Sequence, residues 1–221
     1  MQENILTLEE KLNTQHTAIL VIDVQNGSCH IDGVAAPASF NSSMIPSMKA
    51  TLPLLLEDAR RAGVLIVYVR AIHDLAYLSP PYAEQLQKQG TYGKSVSGSW
   101  EADYCDEIRP TGGPREVEII KHRYNAFHGT ELDLLLRSNG VKTLVMTGFA
   151  TGGCVYTTAV DGLFRDYYVI MAEGSLADRD DEAHRVFLSR FQWAYGDVVP
   201  TSKIVGIWKT ADSPLLASKL S

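Results

Sequence analysis

The chain has 221 residues, 45% of them hydrophobic, with a formal net charge of −6. That length and apolar content suffice for one well-buried core, and no seam in composition divides it in two. The acidic balance, with basic clusters no longer than pairs such as Arg60-Arg61, excludes the electrostatic footprint of a nucleic-acid or anionic-membrane binder, so the expected partner is a small molecule.

Residues 1–16 are polar and read as an N-terminal arm or loose helix ahead of one domain over 17–221. The opening Met1-Gln2-Glu3-Asn4 has no basic region followed by an apolar core, and nowhere do about 18 apolar residues run together. Three cysteines, at 29, 105 and 154, form no disulfide framework. A cytoplasmic protein is expected.

From there short β-branched runs alternate with helical patterns, which predicts an α/β fold with an open, mainly parallel six-stranded sheet flanked by helices on both faces. Strands are expected at 18–22, 64–69, 117–120, 143–147, 168–172 and 197–199, and helices at 42–62, 131–138, 153–166 and 181–191. Ala62-Gly63 and Asn139-Gly140 act as stop signals. The stretch 73–115, rich in proline and glycine with weak periodicity, reads as an excursion over the active face.

Ligands of open parallel sheets bind outside the carboxyl ends of the strands, so the residues there are the ones to inspect for chemistry. Asp23 follows the first strand and Lys121 the third. Cys154 follows the fourth through the turn Gly148-Phe149-Ala150-Thr151-Gly152-Gly153. A helix N-terminus has unsatisfied N–H groups and a positive dipole end, so the expected form of Cys154 is a thiolate of lowered pKa. An aspartate can take a thiol proton, a lysine can balance charge, and a thiolate can attack a carbonyl carbon. Taken singly, each has a plainer reading as a turn former, a solvated charge or a small buried hydrophobe.

Three ordered motifs carry a family resemblance. Asp23-Val24-Gln25-Asn26 is similar to a D-x-Q-N element, Lys121 through Leu132 to K-x-x-Y-x-x-F-x-G-T-x-L, and Gly148–Val155 to G-x-x-T-x-x-C-V. Together they resemble the isochorismatase-like cysteine hydrolases, over most of the chain. The resemblance implies Asp23 as general base, Lys121 as charge-stabilising lysine and Cys154 as nucleophile. It further implies a cis peptide between Phe149 and Ala150 and an oxyanion hole from the N–H groups of Ala150 and Cys154. Gln25, Tyr124 and Phe127 are expected to contact substrate, and the family likeness brings an expectation of a homodimer or homotetramer.

The segment from Ala177 to His184 resembles the D-R-x-x-x-x-H element of the N-carbamoylsarcosine and maleamate amidohydrolase group, and Tyr195–Val199 its following strand. By that likeness Arg179 fixes a substrate carboxylate, for which its planar fork is suited. A surface salt bridge to Asp178, Asp180 or Asp181 is the competing reading. Gln192 is expected to add an amide contact. Two departures stand out. Gly27-Ser28-Cys29 replaces the usual acidic and aromatic pair, and Arg70-Ala71-Ile72-His73-Asp74 replaces the nicotinamidases' metal-binding Asp-x-His. No metal is expected, because the six histidines are scattered as well. No nucleotide cofactor is expected either, since G-x-G-x-x-G and the P-loop are absent.

The sequence therefore points to a metal-independent cysteine amidohydrolase that releases ammonia from a small carboxylic acid bearing an amide or carbamoyl group. The alternatives are a hydrolase of a neutral or ureido compound, biuret- or ureidoacrylate-like, and a non-amidase relative cleaving a vinyl ether. Cys154 speaks against the last.

Overall fold

The computed structural model describes residues 5–33 and 44–211. Six strands form one sheet: β1 (Thr17–Ile22), β2 (Leu65–Ala71), β3 (Glu116–Lys121), β4 (Thr143–Phe149), β5 (Tyr168–Ala177) and β6 (Asp197–Pro200). Their order is β3-β2-β1-β4-β5-β6, and every neighbouring pair is parallel. All residues of β1 and β4 are buried. Such unbroken burial, with threonine as the one polar residue type in either strand, is what a parallel sheet covered on both faces requires.

Eight α-helices are described: α1 (Leu8–Lys11), α2 (Asn26–Cys29), α3 (Met44–Arg61), α4 (Pro80–Lys88), α5 (Leu132–Ser138), α6 (Tyr156–Phe164), α7 (Asp181–Ala194) and α8 (Thr201–Ala211). On one face of the sheet α3 and α8 pack through Met48, Leu52, Leu55, Ile204 and Trp208 onto Ile19, Val21, Ile66 and Val145. On the other, Leu132, Leu136, Ala159, Leu188 and Phe191 from α5, α6 and α7 cover Leu20, Ile22, Val67 and Met146. The alternation of β1 side chains between the two cores is the two-residue period of a strand.

All six expected strands are present, and the sheet is parallel throughout. β5 runs five residues beyond its expected end at Ala172 because it bulges. Its pairing with β4 shifts from Met146↔Met171 to Gly148↔Leu176, and Gly174 takes φ +93°, open to glycine without a Cβ penalty. The extension carries Asp178 and Arg179 to the same end of the sheet as Asp23. The expected helix over 153–166 opens instead as a π-type turn (Thr151–Val155) in which Gly153 leaves helical geometry at φ −115°, ψ −108°. Besides the single turn α2, two longer helices lay outside the sequence reading. One is α4, started by Pro80 and Pro81 within the excursion, and the other is α8. The part of the expected helix over 42–43 lies outside the described residues.

The N-terminal arm is anchored as well. Thr7 and Glu10 form a capping box on α1, Lys11 pairs with Asp197 at 2.7 Å, and Trp208 Nε1 donates to Leu12 O at 3.0 Å.

Candidate active site

The strand order reverses between β1 and β4, and there a parallel sheet leaves a crevice at its carboxyl edge. Asp23 follows β1 with φ +52°, its N–H donating to Val69 O at 2.9 Å, so β2 fixes the turn that aims the carboxylate inward. Lys121 is the last residue of β3, paired in register with Ala71, and is fully buried. Its stem crosses the end of β2 to reach the β1–β4 crevice. Only a long flexible side chain does this, and Ala71 leaves it room.

There the three side chains meet. Lys121 Nζ lies 2.8 Å from Asp23 Oδ2, 3.3 Å from Cys154 Sγ and 3.1 Å from Arg123 O, so all three ammonium hydrogens have acceptors. Asp23 Oδ1 is buried without a hydrogen-bond partner. One carboxylate oxygen is thus held by the lysine and the other is open to a proton.

Electrostatics decide the resting forms. Burial alone would lower the pKa of Lys121, but Asp23, and then Cys154, outweigh it and hold the ammonium above its ordinary range. Burial and then the Asp23 carboxylate push Cys154 up to about 12, with Lys121 pulling the other way. This corrects the expectation of a lowered thiol pKa. A thiolate set beside a carboxylate in a buried site is disfavoured more than the start of an irregular turn favours it. The resting set is carboxylate, ammonium and neutral thiol.

The turn bearing Cys154 is held from β5 and α7. Thr151 Oγ1 donates to Ala177 O at 3.1 Å and is 2.8 Å from His184 Nδ1. Because that hydroxyl hydrogen is committed, the imidazole is the donor to it. The two oxygens of Asp178 accept from the N–H of Gly152 at 2.5 Å and of Arg179 at 2.7 Å. The Phe149–Ala150 peptide is cis. At Gly152 a Cβ would come within 2.2 Å of the Phe187 ring.

Around these groups is a cavity of about 430 Å³, within the range of small-ligand pockets. It brings together Asp23, Gln25, Lys121, Tyr124, Ala150, Cys154 and Arg179 of the expected site residues. Gln25 is fully engaged: its amide donates to Ala71 O and Ala102 O, and its carbonyl oxygen accepts from Ala71 N. It therefore shapes the wall. Tyr124 accepts from Gln89 Nε2 at 2.7 Å. The Arg179 guanidinium has no ion pair among the described residues, so the competing surface bridge is not formed.

Two expected contacts are elsewhere. Phe127 is buried in the helix-covered core, stacked on Tyr167. Gln192 is exposed on α7 and accepts from Val198 N at 2.7 Å, closing the link between α7 and β6. Conversely, sequence reasoning missed Leu86, Gln89, Lys94 and Ser95 of the excursion, and Phe187 of α7, all lining the cavity. The missing signal was positional, since no motif marks them. His73 also lines it. Burial, then Lys121, lowers its pKa to about 4, so the ring is neutral at pH 7.

The isochorismatase-domain family profile matches residues 17–203. The chain belongs to the isochorismatase family. It is 32% identical over 172 residues to a ureidoacrylate amidohydrolase of Pantoea ananatis, covering 72% of this chain and 68% of that protein. N-carbamoylsarcosine amidase from Thermoplasma acidophilum is 30% identical at a TM-score of 0.68, covering 84% of this chain and 96% of the other. A cysteine hydrolase from Pseudomonas syringae pv. phaseolicola shares the fold at a TM-score of 0.81 and 23% identity over 96% of this chain and all of that one. This isochorismatase-like hydrolase therefore carries the site in a family whose named members include enzymes acting on carbon–nitrogen bonds.

Proposed function

We propose that the chain is a cysteine amidohydrolase that cleaves a terminal amide or carbamoyl bond of a small carboxylic acid and releases ammonia. The observation that carries this is the contact set Asp23 Oδ2–Lys121 Nζ at 2.8 Å and Lys121 Nζ–Cys154 Sγ at 3.3 Å at the base of the cavity. The thiol proton passes to Asp23 as sulfur attacks the carbonyl carbon, and the Lys121 ammonium offsets the charge that develops on sulfur. The N–H groups of Ala150 and Cys154 receive the oxyanion. The C–N bond breaks, the proton held by Asp23 leaves with the amine as ammonia, and a thioester remains. Water then attacks the thioester with Asp23 again as base, and the acid and free thiol are restored.

In this reading Arg179 holds the substrate carboxylate. Its support is an unpaired guanidinium lining the cavity two strands from Asp23. A second reading, a ureido substrate, is favoured by the 32% identity to ureidoacrylate amidohydrolases. Assembly as a homodimer or homotetramer and a cytoplasmic location belong to the same proposal.

Ammonia release across carbamoyl amino acids, maleamate, ureidoacrylate, biuret and nicotinamide tests it. Cys154→Ala is expected to lower turnover by at least about a thousandfold with the circular dichroism spectrum unchanged. An alanine variant that keeps its turnover overturns the covalent route.

A further inference from the structure

The excursion places a second cation over the cavity. His73 N donates to Ser95 O at 3.0 Å, and Asp74 accepts from Ser97 N at 2.7 Å and from Ser97 Oγ at 2.5 Å, so the segment carrying Lys94 is fastened to the end of β2 at three points. Ser95 lines the cavity with φ +51°, a conformation that a side-chain-bearing residue keeps only where its surroundings over-determine it. Lys94 lines the cavity beside it and, like Arg179, makes no ion pair among the described residues.

The acids of the cavity are already matched. Asp23 faces Lys121, and both Asp178 oxygens accept from backbone N–H groups. The rim therefore carries two unmatched cations. Sheet order separates them: Lys94 is tied to the end of β2, Arg179 follows β5, and Asp23 and Cys154 lie at β1 and β4 between. Three strand spacings amount to about 14 Å, which two long side chains reaching inward narrow to the spread of one branched small molecule.

We infer that Lys94 is a second carboxylate anchor and that the substrate class is a branched dicarboxylic acid bearing the amide or carbamoyl group. The scissile carbonyl points down to Cys154, with one carboxylate on the Arg179 flank and the other on the Lys94 flank. This rests on the amidohydrolase reading above. A monoacid leaves one rim cation unmatched, and a neutral ureide leaves both.

The test compares N-carbamoylaspartate and N-carbamoylglutamate with N-carbamoylglycine and N-carbamoylalanine. Ammonia release gives kcat and KM, and calorimetry on Cys154→Ala protein gives binding without turnover. The expected diacid-to-monoacid ratio of kcat/KM is about tenfold or more, expressed mainly in KM. Lys94→Ala should collapse that ratio and Lys94→Arg should keep it. A wild-type ratio near one, or a ratio that survives Lys94→Ala, overturns the second anchor even while ammonia release upholds the amide chemistry. Lys94-dependent diacid binding with no ammonia from any compound supports the anchor and sinks the chemistry. Neither binding nor release overturns both.

Discussion

Lys121 commits all three ammonium hydrogens to Asp23, Cys154 and a backbone carbonyl while fully buried. Its removal leaves a buried carboxylate with no counter-charge. Lys121→Met is therefore expected to destabilise the fold by roughly 3–5 kcal/mol, read as a lower urea midpoint, and to abolish turnover. The thiol gives a second prediction. Cys154 and Lys121 both have pKa values above their ordinary ones, 9.0 and 10.5, so above pH 9 the folded chain holds more protons than the unfolded one. Their contribution is fully present below about pH 9 and is lost as pH climbs toward 12, so the urea midpoint should fall over that range. Alkylation by iodoacetamide should reach Cys154 before Cys29 and Cys105, which are buried whereas Cys154 is half-buried. Its rate should keep rising between pH 7 and 9, and a plateau below neutrality would restore the low-pKa thiol. At the rim, Arg179→Ala should raise KM for an acidic substrate by the equivalent of about 2–4 kcal/mol, and Arg179→Lys should also impair binding. Steady-state kinetics check both variants. A neutral ureide should be nearly indifferent to either change.

The turn between β4 and α6 depends on elements that are distant in sequence. Asp178 at the end of β5 and His184 on α7 hold Gly152 and Thr151, and Phe187 lies against Gly152 where a Cβ has no room. Gly152→Ala should displace either the ring or the turn and reduce turnover by about tenfold or more. Adding Phe187→Ala should recover part of the loss, a coupling that a double-mutant cycle reads directly. The positions of Asp23, Lys121 and Cys154 were legible in the sequence because strand ends and glycine turns leave local marks. The protonation state of Cys154 was not, because it depends on a carboxylate 131 positions earlier in the chain coming to the neighbouring strand. Phe127 was misread for a related reason. Its motif position is right, but its ring turns into the core toward Tyr167. Gln192 lies on α7 at a register that points it toward β6.

Across the molecule, the alternation of apolar runs and helical patterns was enough to derive the sheet. The α8 helix escaped because threonine, serine and Gly206 weaken its local propensity, and it is secured by tertiary contacts instead. Trp208 on α8 is buried and donates to Leu12 O, tying that helix to the N-terminal arm. Trp208→Ala is expected to cost about 3–5 kcal/mol and, because the site lies elsewhere, to lower the thermal midpoint far more than turnover below it. No helix among the described residues is long and apolar enough to cross a membrane.

Asp23 and Lys121 form an oppositely charged pair buried at the base of the cavity beside the half-buried, neutral Cys154 thiol, whereas Arg179 and Lys94 stand exposed at the rim. Dissolved ions screen exposed charges within about 10 Å at 0.1 M and buried pairs much less. Adding sodium chloride should therefore separate the two halves of the reaction, raising KM for an anionic substrate while leaving kcat nearly flat. Ionic strength alone would then tell which part of the enzyme a given substrate is limited by.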